Sequence, residues 1–164
     1  MVVRALLAVA LVLLAGSGIA GGLLLWAPWD KEPDDFCQQA AVWHAAQDPF
    51  QRQTNKIGGL EGDGLSVANA MFEDSADVVL PTAQSQHQQD IRGVMRDTVR
   101  AEEELLSEAS ILNSLREADY DGDQIIAAYR RAEEKRLELN DLLREVNAML
   151  GAECGLPPLP IYSD

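Results

Sequence analysis

The sequence predicts an all-α protein: an N-terminal transmembrane helix, then an exported up-down bundle of three to four helices that ends in a long helical hairpin. Three observations support this prediction. Residues 5–27 form an uncharged apolar run. Apolar residues then recur at helical spacing from Phe36 to Met149, interrupted by glycine, proline and aspartate. Two cysteines, Cys37 and Cys154, lie at the two ends of this helical part.

The apolar run at residues 5–27 is long enough to cross a bilayer, because about 1.5 Å per residue gives a helix of roughly 35 Å. Arg4 and the amino terminus precede it, and five charged residues follow it between positions 30 and 35. The positive-inside rule therefore places residues 1–4 in the cytoplasm and the rest of the chain outside it. We expect a single-pass protein of the cell membrane.

Small residues inside this run leave a second interpretation open. Gly18 and Ala20 resemble a signal-peptidase site, which would make the protein a secreted one. Lipid attachment is excluded, because Ser17 stands where a lipobox requires cysteine. If the helix is retained, two pairs spaced four residues apart could pack against another transmembrane helix: Ser17 with Gly21, and Gly18 with Gly22.

Beyond a linker at residues 28–35, the pattern predicts a helical bundle over residues 36–155 and a proline-rich tail over residues 156–164. Four helices are predicted, with approximate bounds 36–47, 65–80, 81–118 and 124–151. Asp48-Pro49 is expected to end the first helix, and Pro81 to lie in the first turn of the third. The second helix is the least regular, since Asp74–Asp77 interrupts its apolar pattern.

An even cysteine count in an exported domain predicts a Cys37–Cys154 disulfide, with two unpaired buried thiols as the alternative. Such a bond brings the start of the first helix to the end of the last. An even number of helices meets this requirement, and four of them give the simple up, down, up, down connectivity. The two long helices would overhang the others, with Asp119–Asp123 at the outer tip.

The charge balance restricts the partners of the exported part. Only Arg4 is charged among the first 29 residues, so the remainder has 12 basic against 27 acidic residues, a formal balance of −15. Such a surface repels nucleic acid and anionic lipid headgroups. We therefore expect no nucleic-acid ligand, and charge alone leaves a solvated surface and a basic partner as alternatives.

The sequence contains no motif that assigns a catalytic residue, a cofactor or a metal. Asp119–Asp123 resembles part of a calcium loop, but Ala128 falls where a bidentate glutamate is required if the loop begins at Glu117. A loop that begins at Asp119 puts Gln124 at the glycine position. A turn with Asp121 or Asp123 as the N-cap explains these residues without a metal.

Three other features are predicted to be structural, and the tail has two possible roles. His44 and Asp48 lie one turn apart and mark a helix boundary rather than a site. Trp43 is expected in the core. The carboxylate clusters 102–104 and 133–134 lie near arginines and predict ion pairs on helix surfaces. The tail, Leu156–Tyr162, either packs on the bundle or serves as an extended peptide for a partner.

Asp35-Phe36-Cys37 opens the first helix, and Glu153-Cys154-Gly155 closes the last. With the short anchor, this pattern resembles a group of small membrane-anchored or exported helical proteins of actinobacteria, most without an assigned function. The resemblance implies a cell-envelope setting and no catalytic residues. We therefore expect a non-enzymatic module that acts by protein–protein interaction, such as an accessory subunit of an envelope membrane complex. The alternative is an extracytoplasmic protein that binds a small ligand or a cation.

Overall fold

The structure, a computed structural model, describes residues 35–56, 59–118 and 120–162. The predicted transmembrane helix and its small residues, Ser17, Gly18, Gly21 and Gly22, lie outside the described residues. Within the described part of the chain, no helix is both long and apolar enough to cross a membrane.

Four α-helices follow one another in chain order: α1 Asp35–Thr54, α2 Asp63–Ala76, α3 Gln86–Glu117 and α4 Gly122–Cys154. The two long helices, α3 and α4, pack together as a hairpin, and α1 packs against α2 and α4. Ion pairs show that the hairpin is antiparallel, because Glu104 meets Lys135 and Glu108 meets Arg131. The all-α four-helix arrangement predicted from the sequence is confirmed.

A disulfide joins the start of α1 to the end of α4. Cys37 and Cys154 are bonded with their Cα atoms 5.3 Å apart, within the range that this bond requires. The predicted pairing is confirmed. It brings residues 117 positions apart in the sequence to the same end of the bundle.

The first helix is longer than the sequence predicts, because it continues through Pro49 to Thr54. A proline inside a helix removes one backbone hydrogen bond and costs about 3 kcal/mol. The five helical residues that follow nevertheless include three buried ones, Phe50, Gln51 and Thr54. Phe50 packs against Leu65 and Ala68 in a second core cluster, and its ring centroid lies 5.8 Å from that of Phe72. Apolar burial therefore outweighs the proline, and the predicted stop at Asp48-Pro49 is wrong.

The long helices also begin and end at different residues than predicted. Pro81 lies in the extended segment before α3, and Ser85 is the N-cap, its hydroxyl accepting the Gln88 N–H at 3.1 Å. The last helix passes through Gly151 and ends at Cys154. Gly155 then takes the left-handed conformation, with φ at 67°, that terminates a helix.

The loop between α1 and α2 reaches the C-terminal end of α3. Asn113 donates a hydrogen bond to the Leu60 carbonyl oxygen at 2.8 Å, and Arg116 pairs with Glu61 at 2.7 Å. The predicted overhang of the hairpin is therefore reduced to little more than its connecting turn, because α1 is two turns longer than expected.

The main core lies between α1, α3 and α4. Trp43 is fully buried there, as predicted, with Ile91, Met95, Leu105 and Leu143 among its neighbours in the cluster. Two residues of the tail, Leu159 and Tyr162, belong to the same cluster. The segment after α4 is thus part of the core.

We expect loss of the disulfide to destabilise the fold strongly. A closed loop of this length contributes about 4–5 kcal/mol in the chain-entropy model, so Cys37→Ser should lower the free energy of unfolding by up to that amount. Urea denaturation with and without dithiothreitol measures it. The reductant should shift the wild-type midpoint and leave that of the variant in place. An unshifted wild-type midpoint is the result that contradicts this expectation.

Candidate functional site in the groove between the first and last helices

The tail, residues 156–162, runs in an extended conformation from the end of α4 back along the bundle, between α1 and α4. On the α1 side, His44 Nε2 donates to the Pro157 carbonyl oxygen at 2.7 Å, and Asn55 donates to the Ile161 carbonyl oxygen at 2.6 Å. The tail therefore runs parallel to α1 and antiparallel to α4. Of the two roles that the sequence left open for it, packing on the bundle is the one observed.

Two asparagines of α4 hold the tail from the other side. Asn147 donates to the Leu159 carbonyl oxygen at 2.9 Å and accepts the Leu159 N–H at 2.7 Å. Asn140 makes the same two bonds with Tyr162, at 3.1 and 2.8 Å. Each side-chain amide thus satisfies both backbone groups of one tail residue, as a neighbouring β-strand would. We call Asn140 and Asn147 the asparagine pair.

The spacing of the asparagine pair matches that of the tail residues it binds. Seven residues of helix rise about 10.5 Å, and three residues of extended chain span about 10 Å. The tail sequence fits the same register, because Leu159 and Tyr162 keep the N–H that an asparagine accepts. Three of the other positions are prolines, at 157, 158 and 160, which have no N–H to leave unpaired.

A buried carboxyl group lies close to the tail. Glu102 of α3 is fully buried, although the sequence predicted it in a surface cluster. It accepts a hydrogen bond from the Gln51 side chain, and the Gln47 amide nitrogen, turned toward it, lies 3.0 and 3.1 Å from its two oxygens. The prediction for this glutamate was wrong because it rested on the charge of the residue alone. Its helical register, between Thr98 and Leu105 on the buried face of α3, was the signal that could have placed it.

Glu102 has neutral amides as its partners, so burial raises its pKa well above the ordinary 4.5, and the Gln51 hydrogen bond offsets part of that rise. Gln51 Oε1 is itself buried without a partner among the described residues.

Tyr162 covers this polar centre. Its hydroxyl is buried near Thr54, without a hydrogen-bond partner among the described residues, and burial raises its pKa. Burial also lowers the pKa of His44, against the opposing effects of its bond to Pro157 and of the charge on Asp48. Asp48 itself pairs with Arg52 at 2.7 Å, so the turn of His44 and Asp48 forms no joint site.

The other predicted ion pairs lie on the surface. Glu104 pairs with Lys135 and Arg100, and Glu133 with Arg136. Two shallow concavities open to solvent on the same bundle, one of about 390 Å³ beside Arg92 and one of about 460 Å³ around Glu104. Neither is lined by the asparagine pair or by Glu102. In the described part of the chain, no three histidine, cysteine or acidic side chains are grouped to hold a metal ion.

The comparisons with known proteins give no relative: no family model matches the sequence, and neither a curated protein nor a solved structure is significantly similar to it.

We expect Glu102→Gln to remove a pH dependence of stability. Because the folded pKa is raised, the contribution of this group is full below about 4.5, where the unfolded glutamate is also protonated, and is lost as the pH rises toward the folded pKa. The slope for one proton is about 1.4 kcal/mol per pH unit. Urea denaturation of wild type and variant between pH 4 and 9 measures it, and the variant should be the more stable protein at the alkaline end.

The matched control is Glu103→Gln, which changes the exposed neighbour of Glu102. Its pH profile should follow that of the wild type. Parallel profiles of the wild type and Glu102→Gln would show that the buried carboxyl group does not titrate in this way.

We expect Asn140→Ala to loosen the tail. The substitution leaves the Tyr162 N–H and carbonyl oxygen without their partner, which costs about 1–3 kcal/mol. Hydrogen exchange of the Leu159 and Tyr162 amides should become faster, while the amides of α3 keep their protection. Asn113→Ala, which removes an asparagine bond elsewhere in the bundle, should leave both tail amides protected. Equal exchange in the two variants would refute the role of Asn140.

Proposed function

We propose that this chain is a membrane-anchored extracytoplasmic helical module that acts by protein–protein interaction, as an accessory subunit of a cell-envelope membrane complex. The observation that carries the proposal is a row of half-exposed apolar side chains on the N-terminal half of α4 and the turn before it. We call it the α4 row; its members are Tyr120, Ile126, Tyr129 and Leu137.

The side chains of the α4 row are exposed to solvent although they are large and apolar or aromatic. Its four side chains are 50–55% exposed, and they include two of the three tyrosines of the chain. Ile126 and Leu137 are eleven residues apart, about three helical turns, so they share a face, and Tyr129 lies one turn from Ile126. Tyrosine and large aliphatic residues are the usual anchors of a protein interface, where their apolar area is removed from water.

Charged residues surround the α4 row, as they do the centre of a typical interface. Arg130 and Arg131 lie beside Tyr129, and Glu133 and Glu134 follow one turn later. The excess of acidic residues in the exported part argues against nucleic acid and an anionic bilayer as the occupant. A protein surface of neutral or basic character is the partner that fits both the apolar row and the charge.

The membrane anchor in this proposal rests on the sequence of residues 5–27. The extracytoplasmic setting is supported by the disulfide, since such bonds persist where no thiol pool reduces them. The non-enzymatic character is supported by the roles of the described polar groups: the asparagine pair binds the tail, and Glu104 and Glu133 pair with lysine and arginine.

We expect a photoreactive benzophenone side chain in place of Tyr129 to form one discrete adduct with a partner protein in native membranes. Its yield should fall at least severalfold when Ile126→Ser is added, because the substitution breaks the apolar row. The same group at Glu145, an exposed charged position of α4, is the control and should give no such adduct. The protein itself should remain in the membrane pellet after an alkaline wash. Identical adducts at both positions, or release by the wash, would contradict the proposal.

A further inference from the structure

The asparagine pair binds the backbone of the tail and not its side chains. Both asparagines use their amide oxygen and nitrogen on the N–H and carbonyl oxygen of a single residue, which every amino acid but proline offers. Two tail side chains, those of Leu159 and Tyr162, are buried in the groove, at 2% and 6% exposure. Ile161 between them remains 38% exposed. The groove therefore contacts the tail through backbone groups and through two apolar side chains three residues apart.

The same face of α4 continues beyond the tail. Tyr129, Asn140 and Asn147 are separated by eleven and seven residues, about three and two helical turns, so the three side chains fall on one stripe of the helix. The tail covers the stripe at Asn147 and Asn140, where Tyr162 is bound. Tyr129 and Ile126, further along, are 55% and 51% exposed. A longer segment on the same path would cover them.

We propose that the groove between α1 and α4 is a binding site for an extended, proline-containing segment of a partner protein, and that the chain's own tail occupies it as a built-in competitor. The inference rests on the proposed function and names the partner's chemistry. The segment carries apolar residues at two positions three apart, retains the N–H at both, and continues with neutral or basic residues toward Tyr129.

Charge distinguishes the partner segment from the tail. Asp164 follows the described part of the tail, and the exported part as a whole carries a formal balance of −15 once Arg4 is set aside. The net negative charge of the domain attracts a basic segment and repels an acidic one at long range, and Glu133 and Glu134 are acidic groups one turn from Tyr129. The partner segment therefore gains both the area of the α4 row and a favourable charge.

The short connection between α4 and the tail determines how strongly the tail competes with a free peptide. A segment joined to its site by a short linker acts at an effective concentration in the millimolar range. A free peptide equal to the tail therefore binds the wild-type chain weakly, and weakening the tail's own anchors should reveal the site.

The experiment uses the full chain in mild detergent and a fluorescent peptide with the sequence of residues 155–162 followed by two lysines. The double variant Leu159→Ala, Tyr162→Ala weakens the tail without removing it. Fluorescence anisotropy should show the peptide binding this variant at least tenfold more tightly than the wild type. Adding Asn140→Ala and Asn147→Ala should abolish the gain, whereas adding Asn113→Ala, the matched asparagine outside the groove, should preserve it. A peptide with serine at both apolar positions should not bind.

Wild-type protein provides a second measurement that needs no variant to fold. Peptide at several times the effective concentration of the tail should speed hydrogen exchange of the tail's own Leu159 and Tyr162 amides. Absence of saturable binding to a tail variant with a native circular dichroism spectrum overturns the proposal, and so does unchanged exchange in the wild type. A peptide-sensitive dimer of the wild-type chain also overturns it, because the occupant is then the tail of a second copy. If the peptide fails while Tyr129 still gives its discrete adduct, the groove proposal falls and the proposed function stands.

Discussion

The disulfide between Cys37 and Cys154 is the constraint on which the groove depends. It fixes the start of α1 beside the end of α4, so the two helices diverge from a common covalent point. Gly155 follows immediately, and its left-handed conformation turns the chain back toward the bundle. The tail thus enters the groove within two residues of the bond that closes it. The bond thus determines where the tail enters the groove, and the asparagine pair determines its register there.

The groove between α1 and α4 is lined by polar side chains, whereas most helix–helix contacts in a bundle are apolar. Each asparagine amide in it binds one donor and one acceptor of the tail backbone. A buried amide costs free energy unless both its oxygen and its nitrogen are bonded, and the backbone of an extended segment offers both partners at once. Asn140 is only 2% exposed because the tail covers it. Tail and groove therefore stabilise each other: removing either would leave buried donors and acceptors of the other unpaired. Glu102, also buried, is bound by the side-chain amides of Gln47 and Gln51.

Helix content, helix order and the disulfide were predictable because apolar periodicity and cysteine position are local or pairwise signals. The continuation of α1 through Pro49 was not, since the burial of Phe50 depends on α2, which is distant in the sequence. Glu102 was assigned by its charge although its helical register placed it on the buried face. The asparagine pair gave no signal, because an asparagine seven residues from another on a helix is unremarkable until an extended chain with matching spacing lies beside it.

The tail shows why a segment rich in proline belongs to the folded unit. Proline removes the N–H groups that a single asparagine pair cannot satisfy, and it restricts the unfolded chain, so less conformational entropy is lost when the tail binds. Leu159 and Tyr162 supply the apolar area, and the amides set the register. Recognition through backbone groups and two apolar contacts specifies an extended conformation and places few constraints on the sequence of the bound segment. Selectivity for a partner must then come from beyond Tyr162, where the α4 row begins.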